Sequence, residues 1–136
     1  MPELTATAAA EDLHARIAAA LDAEEATAKA AAAGPWSYDP QVGAVSAPHA
    51  RVVSPLFDAD GRHFALQDPA RTLCRIAAQR RTLQRHAPIP YYGAQGQGWA
   101  CSHEWGDGDG WHIDWHRCSD VLDLADALDI DIGDGA

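Results

Sequence analysis

Apolar residues recur at helical spacing in three stretches of the chain. In the first, Leu13, Ile17, Leu21 and Ala28 repeat every three to four residues and share a face with Ala20, which predicts a helix over residues 11–33. Gly34-Pro35 ends it, because glycine suits a left-handed stop and proline cannot continue a helix. The second helix is expected over residues 68–86. Asp68 is placed to accept hydrogen bonds from the first free amides, and Pro69 sits where a missing N–H does no harm. Leu73, Ile76, Ala77 and Leu83 fall within one arc of this helix, and Arg71, Arg75, Arg81 and Arg85 fall on the opposite side. Arg80 lies inside the apolar arc and is expected to pair with an acid of another helix, Glu24 being the candidate. In the third stretch Ser119 caps a short helix, with Val121, Leu124, Ala125 and Leu128 on one face and Asp123 and Asp126 on the other.

Between the long helices the period changes. Trp36–Tyr38, Ala44–Ser46 and Arg51–Val53 are short β-like runs separated by Asp39-Pro40, Gly43 and Pro48, which form turns. They predict a small antiparallel meander over residues 36–57, with Trp36 packed between it and the first helix. A further helical turn is expected over Arg62–Gln67. Ala87–Ala100 is rich in proline, tyrosine and glycine, lacks a period and reads as a loop. The fold class is therefore α+β. It consists of two longer helices, roughly antiparallel, with the meander between them in sequence, followed by a cysteine- and histidine-bearing loop and a short C-terminal helix over residues 99–128. One small domain spans 11–128, between a flexible N-terminal tail (1–10) and an acidic C-terminal tail (129–136).

Composition changes this picture in two places. The apolar fraction is 47%, but much of it is alanine, so the core is thin and a metal staple would strengthen it. The net charge of −10 opposes generic binding to nucleic acid or anionic membranes. The arginine stripe at 71, 75, 81 and 85 is the local exception. It keeps a nucleic-acid-binding protein as the alternative function, although a solvated or internally paired face is the plainer reading. No secretory signal and no membrane-spanning run stand out, so a reduced, cytoplasmic setting is expected, where clustered cysteine and histidine favour metal over disulfides.

That cluster lies in Trp99–Ala127, which holds two of the three cysteines, three of the seven histidines and four of the five tryptophans. Cys101/His103 and His116/Cys118 form two close pairs across an acidic glycine-rich loop, the arrangement that tetrahedral Zn²⁺ takes from nitrogen and sulfur ligands. One intervening residue is tighter than a usual zinc knuckle, so His112, and His86 from the end of the second helix, are further candidates. Cys118 precedes a helix, whose N-terminus favours a thiolate. Competing motifs fail on inspection. Asp107-Gly-Asp109-Gly lacks the rest of a calcium loop, since the twelfth position is Cys118. His103-Glu104 is not followed by a histidine at 107, and Gly96-Gln-Gly98 is a flexible loop and not a nucleotide cradle. A thiol enzyme using Cys118 with His116 is a second alternative, but no orienting partner accompanies them.

Four stretches together resemble a small domain family of unknown function from actinobacteria and their phages. They are Gly34-Pro35-Trp36; Asp58–Leu73, which carries Asp68-Pro-Ala-Arg71; Leu83-Gln-Arg-His86; and Cys118-Ser-Asp-Val121-Leu-Asp-Leu124-Ala125. Members often carry C-x-x-C where this chain has Cys101-Ser-His103. The resemblance implies His86 and Cys118 as ligands, with His103 standing in for a cysteine. The expected metal set is thus Cys101, His103, Cys118 and His86, with His116 and His112 as alternates. The expected function is a non-enzymatic, zinc-stabilised accessory protein of phage or prophage type that engages an unidentified protein partner.

Overall fold

The structure, a computed structural model, describes residues 6–54, 57–93, 96–105 and 112–132; for 6–10, 91–93, 96, 97, 103–105, 112, 113 and 116 the backbone alone is described. Helix α1 (Ala6–Ala30) is followed by strands β1 (Ser37–Asp39), β2 (Ala44–Ala47) and β3 (Ala50–Val53). Helices α2 (Asp58–Ala65) and α3 (Pro69–Arg85) come next, then β4 (Pro88–Gly93), β5 (Gly96–Trp105), β6 (His112–Asp114), a 3-10 turn (Trp115–Arg117) and α4 (Ser119–Ala127). The class is α+β. Two compact units are present: residues 22–77, and residues 1–21 together with 78–136. No helix among the described residues is long and apolar enough to cross a membrane.

In the 22–77 unit β1, β2 and β3 form the expected antiparallel meander, with Ser37 opposite Ser46 and Ala47 opposite Ala50. Val45 and Ile76 are buried in it. Asp68 joins its two sequence motifs. One carboxylate oxygen accepts the amide of Ala70 at 2.7 Å, capping α3, and the other accepts the amide of Trp36 at 2.6 Å. A Cβ on Gly34 would stand 2.3 Å from that second oxygen. Gly34 therefore serves close approach and not a left-handed stop; among the described glycines the positive φ belongs to Gly43 (63°). Gly61 plays the same part on α2, where a Cβ would lie 2.2 Å from the Tyr38 ring. Trp36 stacks on Phe64 of α2 (centroids 5.9 Å apart, planes at 16°) and donates from Nε1 to Ala32 O. Glu24 pairs with Arg75, a member of the arginine stripe, at 2.8 Å. Arg80, which belongs to the other unit, is half-buried.

The other unit buries Leu13, Ile17 and Leu21 of α1, Leu83 of α3, Ala100 and Cys101 of β5, Trp115, and Val121, Leu124 and Ala125 of α4. Two expectations need correction. Residues 6–10, expected in a flexible tail, are the first turns of α1, because ATAAA is nearly all alanine, the best helix former. Residues 88–105, expected as a loop as far as Ala100, are two paired strands: β4-β5-β6 is a second antiparallel sheet with Pro88 opposite Cys101 and Pro90 opposite Trp99. Pro88 and Pro90 are two residues apart in an edge strand, so both missing donors face the same, unpaired side.

Candidate metal centre

Three local rules bring three side chains to one point. Helix α3 runs into a helical bond from His86 N to Thr82 O (3.0 Å), then stops, since Pro88 disfavours helical backbone at Ala87. Strand β4 begins at Pro88, and its register with β5 puts Cys101 opposite Pro88, two residues beyond His86. Ser102 tightens this corner by donating from its amide to Ala87 O (3.1 Å) and from its hydroxyl to Arg85 O (3.0 Å). Cys118 is the N-cap of α4, entered through the 3-10 turn.

The result is a closed triangle. His86 Nδ1 lies 3.2 Å from Cys101 Sγ and 3.3 Å from Cys118 Sγ, and the two sulfurs are 3.6 Å apart. The three residues are 2%, 0% and 1% exposed for His86, Cys101 and Cys118 respectively. Their donor atoms all fall within 4.8 Å of one another, so the group is able to hold a metal ion. A tetrahedral ion with metal–sulfur bonds of about 2.3 Å and a metal–nitrogen bond of about 2.0 Å would set sulfurs about 3.8 Å apart and nitrogen about 3.5 Å from each. The observed triangle is a few tenths of an ångström tighter. Two sulfurs and an imidazole suit a soft or borderline cation and not Ca²⁺ or Mg²⁺, which take oxygen. Two thiolates would also cancel a divalent charge, which lets the cluster be this deeply buried.

Without a cation the pocket favours protons. Desolvation, foremost, pushes the Cys118 thiol from 9.0 up to about 11; the Val121 amide pulls it down, hydrogen bonding to and charge on Cys101 push it up again, and the Asp120 amide pulls down least. His86 is held on two further sides: Nε2 lies 2.9 Å from Asp120 Oδ2, and Trp115 Nε1 donates to the His86 carbonyl. His14 of α1 packs its ring 5.9 Å from that of Trp115.

Of the expected ligands, the structure brings together His86, Cys101 and Cys118. The side chains of His103, His112 and His116 lie outside the described residues, as does the acidic loop at 106–111. The third cysteine, Cys74, is exposed on α3. Arg71, Arg75, Arg81 and Arg85 are all exposed on that helix. Sequence reading passed over Asp120 and Trp115. An acid two residues after a candidate cysteine ligand was the one available signal for Asp120; Trp115 carried none.

No curated protein and no solved structure matches the chain. Residues 10–127 match a family of unknown function, and this stretch covers the whole of the triangle and both motifs that meet at Asp68. The chain belongs to that family of unknown function, DUF6221.

Proposed function

We propose that this protein is a zinc-stabilised, non-enzymatic accessory module. Zn²⁺ is bound by His86, Cys101 and Cys118, with His103 completing the tetrahedron and His116 or His112 as its substitutes. The reading is carried by one observation: an imidazole nitrogen and two sulfurs, all buried, stand 3.2–3.6 Å from one another. Burial supports a structural ion over a catalytic one, since a catalytic zinc keeps an open position for substrate. A Cys118 pushed up to about 11 is the reverse of an activated nucleophile, which speaks against a thiol enzyme. The net charge of −10, and the pairing of Arg75 with Glu24, speak against use of the arginine stripe on nucleic acid.

The ion ties the end of α3, strand β5 and the start of α4 into one rigid corner, from which the module engages a protein partner in the cytoplasm. The Gly34-Pro35-Trp36 and Asp68-Pro-Ala-Arg71 motifs support an origin in actinobacteria or their phages. Elemental analysis of the purified chain should find about one zinc per molecule, and chelation should lower its melting temperature. Cys118→Ser should remove both the ion and the response to chelator. Metal-free protein that melts unchanged after chelation would refute the reading.

A further inference from the structure

His86 has a neighbour at each ring nitrogen. Nδ1 faces Cys101 Sγ and Cys118 Sγ at 3.2 and 3.3 Å. Nε2, across the ring, lies 2.9 Å from Asp120 Oδ2. A neutral imidazole carries one N–H and one lone pair, and an ionised carboxylate only accepts. A ring that gives its Nδ1 lone pair to a metal between the sulfurs keeps its one proton on Nε2, facing the carboxylate. A half-turn of the ring would put carbon against the sulfurs and carbon against the carboxylate, losing both contacts at once.

We propose that Asp120 is the positioning residue of this metal centre. It selects the Nε2–H form of His86 and holds the ring so that Nδ1 is the metal donor. This rests on the metal reading above and adds a residue outside the ligand triangle. The Asp120 side chain is 49% exposed, so burial does not force it onto the imidazole. It stands in the first turn of α4, two residues after Cys118. The turn that delivers the thiol thus also delivers the carboxylate, and α4 grips the site twice, once through sulfur and once through the ring. Trp115 holds the same residue from its carbonyl, so ring and backbone of His86 are both fixed before any ion enters.

Outer-shell partners of this kind are worth about 10- to 100-fold in metal affinity. The test uses the full chain with zinc alone as the probe, in wild type, Asp120→Asn, Asp120→Ala and, as a control on the exposed face of α4, Asp123→Ala. Zinc affinity is read by competition with a chromophoric chelator. The protonated and metal-bound nitrogens of His86 are read from long-range proton–nitrogen NMR spectra. Expected is a graded series. Asp120→Ala loses about 10- to 100-fold, Asp120→Asn, which keeps an acceptor without the charge, loses less, and Asp123→Ala loses nothing. Wild type should show Nε2 protonated and Nδ1 bound to the ion, and Asp120→Ala should blur that pattern. Melting of the metal-free proteins separates a folding defect from a binding defect. If Asp120→Ala does not fold, the comparison of wild type with Asp120→Asn decides. Variants that bind zinc as wild type does, with the ring pattern unchanged, overturn this inference and leave the zinc proposal standing. Wild type that takes up no zinc overturns both.

Discussion

Zinc uptake by this chain is expected to release protons, and Cys118 sets how steeply uptake depends on pH. In the metal-free fold its thiol is pushed from 9.0 to about 11. At pH 7 the thiol is therefore protonated in nearly every metal-free molecule. The ion binds the thiolate, so each occupied site expels the Cys118 proton at any pH well below 11. From this residue alone the apparent affinity rises about tenfold per pH unit, and it is still rising steeply at about pH 10, where the contribution of an ordinary thiol is levelling off. Chelator competition at closely spaced pH values gives the slope. Calorimetry in two buffers of different ionisation enthalpy counts the protons. A flat profile, or release of well under one proton per ion near neutral pH, would refute Cys118 as a ligand. The metal-free protein responds in the other direction. Its folded-state thiol binds the proton more tightly than the unfolded chain does, so this stabilisation is intact below about pH 9 and is lost as the pH climbs through about 11. The loaded protein has no such proton to lose, so its melting temperature should part from that of the metal-free form across this window.

Three further outcomes test the packing around the site and the motifs. Trp115→Phe removes the donor to the His86 carbonyl and should cost about 1–3 kcal/mol in urea denaturation, while Trp99→Phe removes a buried Nε1 that has no partner among the described residues and should cost less; equal losses would refute this reading. Asp68→Ala releases the amides of both Trp36 and Ala70 and should destabilise by about 3 kcal/mol, with Asp68→Asn losing less; a loss below about 1 kcal/mol would show that the two motifs are not joined there. Gly61→Ala gains about 1 kcal/mol of helix propensity but drives a Cβ into the Tyr38 ring, so a net loss is expected that the double variant with Tyr38→Ala relieves; strictly additive losses in the cycle would refute the contact.

Local pattern determined much of this protein. The buried faces of α1 and α4 are the apolar faces of their periods, because Leu13, Ile17 and Leu21, like Val121, Leu124 and Ala125, declare themselves within a few turns of chain. Asp68-Pro69 marked a helix start by the same local logic, and Cys101 and Cys118 stood out as sulfur ligands because they cluster with histidines. The arginines at 71, 75, 81 and 85 are exposed as their helical phase required.

Whatever depended on a partner distant in sequence was decided by the tertiary structure. The second sheet was hidden by Pro88 and Pro90, which deny a strand only when their missing donors face a neighbour, and which edge they face is a property of the sheet. Gly34 read as a helix stop, but its need comes from a carboxylate thirty-four residues later. His86 carried no helix-period reason to be buried. It is buried because the register of β4 with β5 and the cap of α4 converge on it, one bringing a sulfur and the other a sulfur and an acid. Clustering nominated the cysteines and the family resemblance nominated His86, whereas the carboxylate behind the imidazole required α3, the second sheet and α4 to meet at one ring.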